Sequence, residues 1–239
     1  MANPALLPRV VDDLVAAAMA YLDEAIAQSA RTGRPARVAL SGGTTPQSLF
    51  RRLGSSPGAI AVHRLDLWWG DERMVPYESS DSNYGLARRL WLDHPGVHPA
   101  GVHPWPVTGA PQAAARRYAE ELERTMPGER PPRFDLVFLG MGPEGHTASL
   151  FPHSPALAER AWTTAVRVEA TVSERLTLTL PVLNAARRVV FLVEGAGKRA
   201  IVRRLLDLPG PTPDLPASLI VPSEPAILLM DAAAAGAST

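Results

Sequence analysis

The sequence predicts an α/β fold whose mainly parallel sheet is covered by helices on both faces. Three observations carry this reading. Short apolar, partly β-branched runs alternate with amphipathic helical segments along the chain. Several runs, such as 135–139 and 189–193, show no polar alternation, which is the pattern of strands buried on both sides. Loops rich in glycine, proline and hydroxyl side chains follow the runs directly, at the strand C-terminal ends where open α/β sheets bind ligands. The 239 residues are 46% hydrophobic, enough for an ample core, and are expected to form a single domain spanning 1–239.

Composition narrows the function. There are 24 basic and 24 acidic side chains, so the balanced charge argues against nucleic acid as the main partner. Without cysteine there are no disulfides, thiolate nucleophiles or cysteine-ligated metals. No apolar run reaches the roughly 18 residues of a membrane span, and 1–11 lacks a secretory pattern. The expectation is a soluble cytoplasmic protein, a monomer or weak homo-oligomer, without membrane contact.

The elements follow in order. Residues 12–30 carry Leu14, Ala17, Ala18, Tyr21, Leu22, Ala25 and Ile26 at helical spacing. Residues 38–40 form a strand, and Ser41-Gly42-Gly43-Thr44-Thr45-Pro46 leads into a helix over 47–53. A strand, a glycine-hydroxyl loop and a helix start make an anion site from free N–H groups and the helix dipole. It is not a Walker A loop, and a turn capped by threonine is the plain alternative. Residues 64–70 are a strand ending in Gly70-Asp71-Glu72-Arg73. Three consecutive charges there are costly unless they face a cleft, although a solvated turn accounts for them as well. Asp81-Ser82-Asn83-Tyr84 caps a helix over 85–92. The proline-rich 95–111 is a connecting loop. His94, His98 and His103 in or beside it lack metal-ligand spacing and read as loop histidines. A helix covers 113–124.

Strands are then expected over 135–139, 162–168, 176–180, Val189–Val193 and Ala226–Met230, with helices over 181–187 and Arg199–Leu206. Residues 216–220 form a turn and 232–239 fray. Gly195-Ala196-Gly197-Lys198 stands at a strand-to-helix junction and offers a second anion contact, or a solvent lysine.

The stretch 134–152 organises the chain. Its strand runs into Gly140, Gly142, Pro143 and Gly145, a density that forces a tight, irregular loop. His146 follows, with Glu144 two residues before it. Gly140, Gly142 and Gly145 spell a dinucleotide fingerprint, and Glu169 offers its acidic residue. Pro143 inside the turn and Pro152 shortly after leave no room for the crossover helix that such a site needs. A plain loop with a surface histidine and a catalytic histidine on a rigid loop are the other two readings.

Six blocks resemble one family. Ser41 to Pro46, Trp69-Gly70-Asp71-Glu72-Arg73, Ser82-Asn83-Tyr84, Gly140 to Pro152, Arg175-Leu176-Thr177-Leu178-Thr179-Leu180 and Gly197-Lys198 stand in the order seen in 6-phosphogluconolactonases, over nearly the whole chain. The resemblance implies a Rossmann-like three-layer α/β sandwich, shared with the glucosamine-6-phosphate deaminases. It implies hydrolysis of 6-phosphoglucono-δ-lactone to 6-phosphogluconate in the pentose phosphate pathway, with no metal or cofactor. It implies His146 as general base beside Glu144, where family members usually carry aspartate. It implies Ser41, Gly42, Gly43, Thr44, Thr45, Asp71, Arg73, Arg175 and Lys198 as substrate-binding residues, with Arg73 and Lys198 on the phosphate. Asp71 is expected to fix a sugar hydroxyl or orient Arg73, and the backbone of 142–145 to supply oxyanion donors.

Two rivals share the fold. Amino-sugar phosphate deaminases typically place tyrosine where Arg73 stands and phenylalanine-asparagine after the histidine block, where this chain has Ser149-Leu150. A sugar-phosphate-sensing regulator needs a helix-turn-helix, and the sequence before Val38 holds one long helix.

Overall fold

The computed structural model describes residues 5–168 and 173–236. The strands are β1 (Leu6–Val10), β2 (Ala36–Leu40), β3 (Leu65–Trp69), β4 (Asp71–Arg73), β5 (Gly101–His103), β6 (Leu136–Leu139), β7 (Thr163–Val168), β8 (Ser173–Leu178), β9 (Val189–Val193) and β10 (Ala226–Met230). The helices are α1 (Leu14–Ala30), α2 (Thr44–Ser55), α3 (Asn83–Ala87), α4 (Pro111–Thr125), α5 (Leu180–Ala185), α6 (Arg199–Leu206) and α7 (Ala232–Ala235).

Seven strands form one sheet in the order β1-β10-β9-β6-β2-β3-β5, and every pairing in it is parallel. β6, β9 and β10 are buried along their whole length, as unbroken apolar strands between two helical layers must be. From β2 the chain builds outward through β3 to β5. From β6 it builds the other way, through β9 and β10. The order therefore reverses between β2 and β6, and a crevice opens beyond the C-terminal ends of those two strands. The loops 41–43 and 140–154 lie there.

Local chemistry sets the helix starts. Asp13 caps α1, its Oδ1 accepting from the Ala16 N–H at 2.8 Å, and α1 buries Leu14, Ala18, Leu22 and Ala25. Ser82 caps α3 in the same way, accepting from the Gly85 N–H at 2.9 Å. A π-helical turn, Arg88–Leu92, continues α3. Pro111 opens α4, where its missing N–H costs nothing.

Several expectations are corrected. The loop at 95–111 contains β5, which pairs with β3. Its three residues are too few to show a period. His103, read as a loop histidine, sits on β5 between Asp66 (Nε2 to Oδ1 2.8 Å) and Glu121 (Nδ1 to Oε1 2.7 Å), with its ring stacked on Trp68. Gly101 makes this possible, since a Cβ there would stand 2.1 Å from Asp66 Oδ1. At the N-terminal edge, β1 pairs with β10 although Pro8 and Arg9 hide its pattern. Asp135 precedes β6 rather than beginning it. Its buried carboxylate binds Arg34 at 2.5 and 2.9 Å and the Arg37 N–H at 2.9 Å. Helix α7 occupies part of the segment expected to fray, capped by Asp231.

A second, antiparallel sheet, β4-β8-β7, was not foreseen. The chain leaves β3 at Gly70, whose N–H still donates to the Leu40 carbonyl at 2.8 Å, and crosses into β4. Strand alternation then splits the three charges of 71–73. Asp71 and Arg73 line the crevice. Glu72 points the other way and is fully buried, accepting from the N–H groups of Arg73, Asn83 and Tyr84 and from Ser82 Oγ at 2.7–3.0 Å. Burial pushes its carboxyl above the usual range, against those hydrogen bonds. The cost of three clustered charges is thus met on two sides of the strand.

Candidate active site

The crevice is a cleft of about 230 Å³. Ser41, Gly42, Gly43, Thr44 and Thr45 form one wall, with Asp71, Arg73, Arg175, Lys198 and His146 around them. Every substrate-binding residue expected from the sequence lines this cleft. Glu144 does not line it but touches His146.

The first wall is built by two glycines. A Cβ on Gly42 would lie 1.7 Å from Asn83 Oδ1, so nothing larger fits against the start of α3. Gly43 has φ of 101° and caps α2 without a side chain. The first amides of α2 therefore remain open to the cleft, with the positive end of the helix dipole behind them.

The cations come from two other directions. Arg73 on β4 and Arg175 on β8 are directly opposed across the antiparallel pair. Like charges in that position repel, and burial together with Arg73 lowers the tendency of Arg175 to stay charged. Arg73 donates to the Asp81 carbonyl at 2.5 Å, yet the buried Nε atoms of both arginines find no acceptor among the described residues. Lys198, in the turn after β9, donates to the Met141 carbonyl at 2.7 Å. Two opposed guanidiniums and an ammonium at one cleft suit a multiply charged anion.

Asp71 is held from both sides. Its Oδ2 accepts from Ser149 Oγ at 2.7 Å and its Oδ1 from Asn83 Nδ2 at 3.2 Å. No ion pair joins it to Arg73 among the described contacts. It ties β4, α3 and the loop after β6 together instead.

The loop after β6 is closed by its own backbone. The Gly142 N–H donates to the His146 carbonyl at 2.9 Å and the Gly145 N–H to the Gly142 carbonyl at 3.0 Å. These amides are spent inside the loop, and Pro143 has none. The expected oxyanion donors at 142–145 are thus engaged elsewhere, whereas the first amides of α2 carry no side-chain cap. No helix starts at this loop, and the next helical turn is Pro155–Ala158. The dinucleotide reading lacks its helix, and Glu169 lies outside the described residues.

His146 Nδ1 is 2.7 Å from Glu144 Oε1. Burial opposes the charge on Glu144, but its own backbone N–H and His146 outweigh that, with Lys198 adding to them, and hold its carboxyl below the usual range. An ionised carboxylate only accepts, so Nδ1 carries the proton and Nε2 is the basic nitrogen. Nε2 has no partner among the described residues. The extra methylene of glutamate does not break the contact. Gly142 clears the space, since a Cβ there would stand 2.1 Å from His146 Nδ1.

Such a site sets a carboxylate-held imidazole beside a helix start and three cationic side chains. A family model described as glucosamine-6-phosphate isomerases/6-phosphogluconolactonase matches residues 10–229. The chain belongs to this family. Within it, the chain is 40% identical over 199 residues to the 6-phosphogluconolactonase of Synechocystis sp., covering 81% of each. It is 39% identical over 222 residues to human 6-phosphogluconolactonase, covering 86% of this chain and 82% of that one. A crystal structure described as devB protein superposes with TM-score 0.88 at 34% identity, over 97% of this chain and 98% of its own.

Sequence reasoning named the charged groups that line this cleft and missed the residues that hold them. Asn83 was read only as part of a helix cap, and Ser149 was noted only for what it is not. The available signal was that both stand inside quoted motif blocks. Among the described residues no group of three histidine, aspartate or glutamate side chains has the geometry to hold a metal ion. No helix there is long and apolar enough to cross a membrane.

Proposed function

We propose that this protein hydrolyses 6-phospho-D-glucono-1,5-lactone to 6-phospho-D-gluconate, with His146 as the general base. The observation that supports it most is the Glu144–His146 pair at 2.7 Å on a cleft whose other groups are Arg73, Arg175, Lys198 and the start of α2.

Water gives its proton to His146 Nε2 as its oxygen attacks the lactone carbonyl carbon. The carbonyl π electrons move to oxygen, and the oxyanion is met by the open α2 amides or a neighbouring cation. The intermediate collapses, the ring C–O bond breaks, and the leaving oxygen takes the proton from the imidazolium. The new carboxylic acid then ionises to solvent. Glu144 keeps the tautomer and stabilises the transient imidazolium. Arg73, Arg175 and Lys198 bind the phosphate and the Ser41–Thr45 wall binds the sugar, with Asp71 against a hydroxyl.

The proposal includes the oxidative pentose phosphate pathway and the cytoplasm, where phosphorylated sugars are held. The proposal takes the protein as a monomer or a weak homo-oligomer. The test is hydrolysis of freshly prepared lactone with the spontaneous rate subtracted, and ammonia release from glucosamine 6-phosphate as the control. His146→Ala is expected to lower kcat by about 10²–10⁴-fold with KM nearly constant. A near-normal kcat in that variant overturns the base.

A further inference from the structure

Glu144 fixes one edge of the His146 ring, but an imidazole pinned at one atom still swings about that contact. The face is held by Phe151. The two ring centroids are 4.5 Å apart with planes inclined by 32°. The opposing guanidinium is held by the same residue, with Arg175 Cζ lying 5.7 Å from the Phe151 centroid.

The chain arranges this locally. Thr147 and Leu150 exchange backbone hydrogen bonds, Leu150 N–H to Thr147 carbonyl at 2.9 Å and the reverse at 3.4 Å. Ala148 takes φ of 48° to close that turn, and Leu150 is fully buried as its anchor. The turn reverses the chain and carries residue 151 back beneath residue 146. Pro152 then disfavours helix at Phe151, so the backbone runs on extended from the turn. Phe151 is only half-buried and is not part of the cleft lining. Arg175 is disfavoured as a cation by burial and by Arg73 opposite, and an aromatic face offsets part of that.

We propose that Phe151 is a positioning residue that holds both the His146 imidazole and the Arg175 guanidinium, joining the base to the anion site through one ring. The inference rests on the proposed function of His146. Phe151 lies outside the cleft lining and acts through those two residues.

The test is Phe151→Leu, which keeps apolar volume, beside Phe151→Tyr, which keeps the ring, with thermal unfolding of both recorded. Phe151→Leu is expected to lower kcat about tenfold on the phosphorylated lactone and on phosphate-free gluconolactone alike. Its KM is expected to rise about three- to tenfold for the phosphorylated lactone only. Phe151→Tyr is expected to restore both to within about twofold of wild type. In a His146→Ala background, Phe151→Leu is expected to leave the residual kcat unchanged, because the ring acts through the imidazole. An equal loss of kcat in that background overturns the proposal, and so does a Phe151→Tyr enzyme as slow as Phe151→Leu. His146→Ala alone separates the two claims. A normal kcat there sinks the base and this inference with it, whereas a slow His146→Ala beside a normal Phe151→Leu sinks this inference only.

Discussion

Replacing Gly142 with alanine adds one methyl group to the loop that carries His146, and the structure says where it goes. The new Cβ would lie 2.1 Å from His146 Nδ1, 2.3 Å from His146 Cε1 and 2.7 Å from Glu144 Oε2. Non-bonded heavy atoms settle at about 3.5–4.0 Å, so the imidazole and the carboxylate must both move by about 1 Å or more. Gly142 is not one of the positive-φ glycines, so alanine accepts its backbone without strain. All three close atoms are side-chain ends, which swing aside at little cost to the fold. The damage is therefore to alignment. A misplacement of about 1 Å costs roughly 10²-fold in rate, or about 2.7 kcal/mol of barrier. The proposed phosphate ligands stand on β4, β8 and the turn after β9, so KM is expected to stay within about threefold. Gly145→Ala is the contrasting variant. Gly145 has φ of 91°, and a Cβ there would meet Leu215 Cδ1 at 2.0 Å, so stability is expected to fall by about 1–3 kcal/mol. The assay is steady-state hydrolysis of the lactone beside urea unfolding. A Gly142→Ala enzyme with wild-type kcat refutes the role given to the Glu144–His146 pair, as does one whose loss is matched by a large drop in stability.

Three further expectations follow from other parts of the molecule. Arg73→Ala and Lys198→Ala are each expected to raise KM for the phosphorylated lactone about tenfold or more and to leave phosphate-free gluconolactone nearly unchanged, since a charge-assisted contact contributes about 1.5–3 kcal/mol; normal KM in both variants misplaces the phosphate. His103 titrates above its ordinary value: burial alone lowers it, but Asp66 and Glu121 together outweigh burial. A folded value above the unfolded one means the stabilisation is complete below about pH 6.5 and is lost as pH rises through the folded value, so urea midpoints should fall across that window in wild type and less in His103→Gln. Activity is expected to survive exhaustive EDTA treatment, checked by the same lactone assay, because the proposed water activation needs only His146 and Glu144.

The elements that the sequence announced clearly are those whose signal is local. Val189–Val193, Arg199–Leu206 and Ala226–Met230 stand where their apolar periods put them, because burial on both faces or on one helical stripe leaves its mark within a short window. β5 and β4, three residues each, are too short to establish a period and are defined by their partners β3 and β8. The glycines at 42, 43, 142 and 145 were legible as loops, but what each glycine makes room for was not: Asn83 for Gly42, the His146 ring for Gly142.

By itself, the sequence determined the α/β class, the loops that line the cleft and the charged residues on them. Tertiary structure decided which loops meet. The reversal of strand order puts β2 beside β6, and so brings Ser41–Thr45 within one cleft of His146, about a hundred residues away. It also set the direction of each charge: Glu72 inward to backbone amides, Asp71 and Arg73 into the cleft, and the 142–145 amides onto their own loop. The physical reason is that hydrophobic periodicity reports only whether a face is covered. What covers it is fixed by long-range packing, and the orientation of a polar group by whichever partner that packing leaves within hydrogen-bonding reach.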